Sequence, residues 1–68
     1  MINVALFGFG RIGQMHAENL VKNKEIKLLY VYEKIDQLSK KAKKIYGCEI
    51  EKDYNKIFND KKVDIIFI

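Results

Sequence analysis

The stretch Ile2–Gly13, with the sequence INVALFGFGRIG, contains the feature that decides the fold. Its first six residues, Ile2–Phe7, are apolar and end at a cluster of glycines, which is typical of a short buried strand. Beyond the glycines the period of the apolar residues changes to that of a helix, which we place at Arg11–Lys22. The stretch therefore predicts a strand, a tight glycine turn and a helix in direct succession.

The turn has the spacing G-x-G-x-x-G, formed by Gly8, Gly10 and Gly13. In such a turn the first glycine permits the tight bend, the second lets the backbone approach a ligand, and the third lets helix and strand pack closely. The start of the helix would direct unpaired N–H groups near Arg11 and Ile12 at phosphate oxygens. The sequence thus predicts a pyrophosphate-binding turn of the kind found in dinucleotide-binding domains.

A carboxylate further along the chain supports the same interpretation. Glu33 directly follows a second apolar run, Lys27–Tyr32, and lies 20 residues beyond Gly13. This is the distance expected of the acid that binds the adenosine ribose of a dinucleotide. The alternative is a simple strand-to-helix turn accompanied by an unrelated surface glutamate. The agreement of strand, turn, helix, strand and acid favours the dinucleotide.

The remaining sequence continues the alternation of helices and strands. Ile35–Tyr46 has apolar residues at helical spacing and is followed by Gly47, a residue typical of helix ends. A short strand at Cys48–Ile50, a brief helix with Asp53 as its N-cap, and a β-rich run at Val63–Ile68 complete the chain. This order predicts an α/β fold, namely the N-terminal portion of a Rossmann-type doubly wound parallel sheet with four strands and three helices.

Length and composition set bounds on this fold. The 68 residues can form only one small layer of core, and 49% hydrophobic with 32% charged residues is ordinary for a folded domain. Because Ile68 lies inside an apolar strand, we expect residues 1–68 to be a partial domain, truncated at the end of the fourth strand.

The net charge of +4 raises the question of an anionic macromolecular partner. Four of the lysines lie on the polar side of the predicted second helix, where a solvated helix face is the favoured interpretation and nucleic-acid binding the alternative; they are Lys40, Lys41, Lys43 and Lys44. We therefore expect neither a nucleic-acid nor a membrane partner. The single cysteine, Cys48, is expected to be a small buried residue. The apolar start is too short for a signal peptide or a membrane span, so the expected location is the cytoplasm.

Four polar side chains have two interpretations each. Arg11 either supports the phosphates of a cofactor or is a solvated residue of the first helical turn. For His16 a catalytic or metal-binding role is the alternative to a hydrogen-bonded structural histidine, which we favour because no cysteine or second histidine could share a metal with it. Tyr30 and Tyr32 have strand spacing and are expected to pack on the sheet rather than to stack on a ligand.

Taken together, four segments resemble the N-terminus of the Gfo/Idh/MocA oxidoreductases, and most closely the inositol 2-dehydrogenases: GFGRIGQMHAENL, KLLYVYE, IDQLSKKAKKIYG and DYNKIFNDKKVDIIFI. The resemblance extends over the whole chain. It implies NAD- or NADP-dependent oxidation of a sugar or polyol hydroxyl. It also implies a C-terminal domain that supplies the contacts to this small-molecule substrate and the interface of a homo-oligomer.

Compared residue by residue, the resemblance implies a cofactor-binding role for Gly8, Gly10, Arg11, Ile12, Gly13 and Glu33. Family members usually have Asp at the acid position, and Glu33 is longer by one methylene. We expect NAD as the cofactor, with NADP less favoured, and no metal. The catalytic lysine of the family, in a Glu-Lys-Pro segment, and its Asp and His partners lie downstream of any residue matching Ile68. No catalytic residue is therefore assigned to this chain.

Two alternatives stay open at this point. The segment GFGRIG also resembles the start of glyceraldehyde-3-phosphate dehydrogenases, but those usually have Asn where this chain has Phe7, and they lack the basic amphipathic helix after Glu33. The other alternative is a non-catalytic NAD-binding remnant or sensor module, since a fold alone does not define a reaction.

Overall fold

Strands and helices alternate along the whole chain. The computed structural model describes all residues from Met1 to Ile68. The elements are β1 (Ile2–Phe7), α1 (Arg11–Val21), β2 (Ile26–Tyr32), α2 (Asp36–Tyr46), β3 (Glu49–Glu51), α3 (Tyr54–Phe58) and β4 (Ile65–Phe67). The predicted order of four strands and three helices is confirmed.

The four strands form one parallel sheet in the order β3-β2-β1-β4. From β1 the chain builds outward through β2 to β3, and it then returns to place β4 on the other side of β1. In open α/β sheets a ligand binds outside the carboxyl ends of the strands at the point where the strand order reverses. Here that point lies between β1 and β4, directly beside the glycine turn that follows Phe7.

The pairing of β1 with β2 contains one irregularity. Val4 pairs with Leu28, whereas the next residue, Ala5, pairs with Tyr30, so Leu29 is an extra residue in β2. An extra residue bends a strand and changes the face to which the following side chains point. The sequence pattern did not predict this bulge.

The main core lies between the sheet and the helices α1 and α2. Seven buried residues form it: Leu6, Phe9, Ala17, Leu28, Val31, Ala42 and Cys48. Burial raises the pKa of the Cys48 thiol, which suits the predicted role as a small buried residue. Ile57 of α3 is fully buried but stands outside this cluster. Only 11 of the 68 residues are buried, so the core is small.

The predicted element ends agree with the structure to within about two residues. Gly47 ends α2 in the left-handed region, with φ of +65°, and its N–H donates to the carbonyl of Lys43. The Asp53 side chain accepts from the N–H of Asn55 and caps α3, as predicted. The predicted last strand is too long, because the N–H of Val63 closes a turn and β4 pairs with β1 only from Ile65 to Phe67, although the N–H of Asp64 also donates to the carbonyl of Asn3.

Candidate functional site

Gly8 is the residue at which the chain leaves the sheet. Its N–H donates to the carbonyl of Tyr32 at 2.8 Å, which extends the pairing of β1 with β2 by one more bond. Its φ of +96° is one that residues with a side chain rarely adopt. A glycine is therefore required here by the backbone itself.

Gly13 is required for a different reason, namely the close approach of α1 to the turn. A Cβ atom built on Gly13 would overlap the carbonyl oxygen of Gly8 and would lie 2.7 Å from its carbonyl carbon. Backbone atoms cannot move aside as the end of a side chain can. The predicted close packing of helix against turn is present.

Gly10, by contrast, has free space around it. Its φ of −69° is accessible to any residue, and a Cβ atom built on it would have no heavy atom within 4 Å. Its carbonyl accepts the N–H of Gln14 at 2.9 Å and thereby starts α1. The protein itself does not require glycine at this position. A side chain here would be excluded only by a ligand that lies against the backbone.

The first turn of α1 presents unpaired donors beside Gly10. The N–H groups of Arg11 and Ile12 have no backbone acceptor, as is usual at a helix start. Both side chains are exposed, and that of Arg11 forms no ion pair. With the positive end of the helix dipole, these donors suit an anion such as a phosphate group.

Glu33 lies next to the turn, and its carboxylate is already engaged by the backbone. Oε1 accepts the N–H of Phe9 at 2.8 Å, and Oε2 accepts the N–H of Ile35 at 3.0 Å. Burial by itself raises the pKa of Glu33, but the backbone N–H groups and the nearby positive charge of Lys52 outweigh it and lower the pKa. The carboxylate is thus ionised, and its remaining lone pairs can still accept from a ligand.

A cavity of about 470 Å³ opens at the carboxyl ends of β1 and β2. The ring of Tyr32 packs 4.8 Å from that of Phe7 and 6.1 Å from that of Tyr54, which confirms its predicted role on the sheet, but it also lines this cavity. The lining consists of Phe7, Gly8, Tyr32, Glu33, Lys34 and Ile35. The cavity therefore connects the glycine turn with the acid.

Lys52 is a member of this region that the sequence analysis did not identify. Its ammonium group donates to the carboxylate of Asp36 and, at 3.3 Å, to the carbonyl of Lys34. Lys52 follows β3, far from the motif in sequence, and only the parallel pairing of β3 with β2 brings it near Glu33. The spacing of the motif contains no signal for such a contact.

The remaining candidate residues, His16 and Tyr30, contact other side chains of the protein. The His16 ring packs 4.8 Å from that of Phe67, as suits a structural histidine, and no protein group forms a hydrogen bond with the ring. The Tyr30 hydroxyl donates to the carboxylate of Asp60 at 2.6 Å. No group of three or more His, Cys, Asp or Glu side chains is placed to hold a metal ion.

A parallel sheet of this order, with a glycine turn where the order reverses and an acid at the end of the neighbouring strand, defines a dinucleotide-binding Rossmann domain. The family model described as "Oxidoreductase family, NAD-binding Rossmann fold" matches residues 2–68. The chain therefore belongs to the Gfo/Idh/MocA family of oxidoreductases.

Solved structures agree with this assignment. The apo scyllo-inositol dehydrogenase from Lactobacillus casei is 28% identical, with a TM-score of 0.90 over 100% of this chain and 21% of that chain. A myo-inositol dehydrogenase from Corynebacterium glutamicum is 27% identical, with a TM-score of 0.85 over 97% of this chain and 20% of that one.

A more distant structure shows a likeness of fold. The biliverdin reductase from Synechocystis sp. PCC 6803, solved with biliverdin and NADP+, is 18% identical, with a TM-score of 0.86 over 96% of this chain and 21% of that chain. The present chain thus spans about a fifth of the length of the structures that it matches. No curated protein sequence matches it significantly. None of its helices has the length and apolar character that crossing a bilayer requires.

Proposed function

We propose that this chain is the nicotinamide-cofactor-binding part of an oxidoreductase that oxidises a CH–OH group of a sugar or polyol, as an inositol dehydrogenase does. The observation that carries the proposal is the turn Gly8–Gly13, which combines free space at Gly10 with unpaired N–H groups at the start of α1. The likeness to two inositol dehydrogenases supports the substrate class.

The residues of the turn would hold the pyrophosphate of the cofactor through the backbone. The N–H groups near Arg11 and Ile12 are the proposed donors, and the Arg11 guanidinium is free to add its charge. Glu33, at the edge of the cavity, would accept from the ribose hydroxyls with the lone pairs that the backbone leaves free. When bound, the nicotinamide supplies the acceptor for hydride.

We infer that the cofactor is NAD rather than NADP. The ionised Glu33 would repel a 2′-phosphate, and Lys52, whose positive charge acts on Glu33, is already paired with Asp36. Lys34 is the residue that could weaken this preference, because it is exposed and directly follows Glu33.

Substrate binding and assembly are proposed for the whole enzyme rather than for these 68 residues. We propose a small sugar or polyol as substrate, a homo-oligomer assembled through a C-terminal domain, and a cytoplasmic location, without a nucleic-acid or membrane partner. No catalytic residue is proposed among residues 1–68.

Calorimetric titration of NAD into Gly10→Val tests the proposal. The wild-type chain should bind NAD, and the variant should lose binding while its circular dichroism stays the same, because a Cβ atom at this position has no protein atom within 4 Å and the valine side chain would occupy the space proposed for the pyrophosphate. Asn19→Val, at an exposed position of α1, is the control and should bind NAD like the wild type. Undiminished binding by Gly10→Val would show that the phosphates lie elsewhere.

A further inference from the structure

Phe9, the residue between the first two glycines, is held at both of its backbone polar groups. Its N–H donates to Glu33 Oε1 at 2.8 Å, and its carbonyl accepts from Gln14 Nε2 at 3.2 Å. Its side chain is 1% exposed and packs edge-on against the ring of Tyr46, with 6.1 Å between the ring centroids. The centre of the glycine turn is therefore anchored by groups that lie outside the turn.

Gln14 is itself oriented by a lysine of α2. Lys41 Nζ donates to Gln14 Oε1 at 2.9 Å. An ammonium group can only donate and a backbone carbonyl can only accept, so a side chain that joins them needs an acceptor at one end and a donor at the other. The amide of Gln14 has both. Lys41 thus fixes which way the amide faces, and the amide nitrogen is turned toward the Phe9 carbonyl.

We propose that Glu33, Gln14 and Lys41 form a clamp on Phe9 that holds the glycine turn in its binding shape before a ligand arrives. The inference rests on the proposed function, since it concerns the same turn. A turn that is already fixed loses less conformational freedom on binding, which strengthens affinity without any additional contact to the ligand. Lys41 is accordingly a positioning residue that acts through Gln14.

The clamp differs from a simple effect of positive charge near a phosphate. A charge effect would be similar for neighbouring lysines of α2 and independent of Gln14. The clamp instead requires that Lys41 and Gln14 act as one unit, so that their substitutions are not additive. Lys40 is the matched control, because it is exposed on the same helix and makes no side-chain hydrogen bond.

The first experiment compares NAD dissociation constants of Lys41→Met, Lys40→Met, Gln14→Leu and the double variant Gln14→Leu/Lys41→Met. Loss of one hydrogen bond corresponds to a loss of up to roughly tenfold in affinity, and we expect this loss for Gln14→Leu. Lys41→Met should weaken NAD binding more than Lys40→Met does. When Gln14 is already replaced by Leu, Lys41→Met should weaken NAD binding further by no more than Lys40→Met does. Full additivity would overturn the clamp.

The second experiment needs no cofactor. The Gly10 amide shares its peptide group with the Phe9 carbonyl, so its NMR signal reports the bond from Gln14. The signal should move in Lys41→Met and in Gln14→Leu but not in Lys40→Met. An unchanged Gly10 signal in Lys41→Met overturns the clamp. Failure of the wild-type chain to bind NAD would contradict the proposed function instead, and the Gly10 signal would still decide whether the clamp exists.

Discussion

At the scale of single residues, two glycines of one motif respond differently to the same substitution. Gly13→Ala would force a methyl group into the Gly8 carbonyl and should destabilise the fold by about 1–3 kcal/mol. Gly10→Ala meets no atom and should change stability by less than about 0.5 kcal/mol. Urea unfolding of both variants measures the difference. Equal stability of Gly13→Ala and wild type would mean that α1 does not pack closely on the turn.

Glu33 should determine cofactor preference, and the ratio of affinities is the quantity to measure. We expect NAD to bind roughly tenfold more tightly than NADP, equivalent to about 1.4 kcal/mol, because the ionised carboxylate repels a 2′-phosphate. Glu33→Ser should bring the two dissociation constants together. Glu51→Ser serves as the control, since the Glu51 carboxylate accepts only from backbone N–H groups of its own loop. A wild-type ratio near one would refute this role of Glu33, as would an unchanged ratio in Glu33→Ser.

At the scale of elements, the bond from Tyr30 to Asp60 links β2 to the loop that precedes β4. The hydrogen bond to Asp60, with burial and nearby negative charges, raises the pKa of Tyr30 to about 12, and the same bond lowers the pKa of Asp60. The bond therefore stabilises the fold fully below the ordinary tyrosine pKa of about 10, and its contribution is lost as pH rises toward 12. On the acid side it is lost as pH falls through the lowered pKa of Asp60.

Tyr30→Phe tests this link. The substitution should destabilise the fold at neutral pH, measured by urea unfolding, and the difference from wild type should shrink at both pH extremes. The control is Tyr54→Phe, whose hydroxyl makes no hydrogen bond and which should cost less. A difference that stays constant across pH would show that the hydroxyl does not interact with Asp60.

The elements also show which features sequence patterns can predict. Apolar runs and glycine positions are local, and they predicted the strands, the end of α2 at Gly47 and the glycine turn. Contacts between distant side chains are not local: Lys52 reaches Asp36 only because β3 pairs beside β2, and Glu33 reaches Phe9 only because two strand ends lie side by side. The proximity of Glu33 to the turn could be predicted, but not that the backbone already uses both carboxylate oxygens.

At the scale of the whole molecule, we expect these 68 residues to bind the cofactor without turning over a substrate. The only histidine packs against Phe67, and the Glu33 carboxylate that lines the cavity already accepts two backbone N–H groups, so we expect neither to act as a general base. Purified chain mixed with NAD and myo-inositol should produce no NADH absorbance above a blank without protein. Measurable turnover would contradict this expectation and would place a catalytic group inside residues 1–68.

The bulge in β2 has a consequence for how such domains are recognised in genomes. Leu29 adds one residue to the chain without adding a paired position to the sheet. The sequence separation of Gly13 and Glu33 is therefore one residue longer than the distance between the turn and the acid requires. A related sequence with a regular β2 would place its acid at the same point in space with one residue fewer between the last glycine of the motif and the acid. Searches for this motif should accordingly tolerate a single insertion or deletion within the second strand, where a rigid pattern would reject proteins with the same binding site.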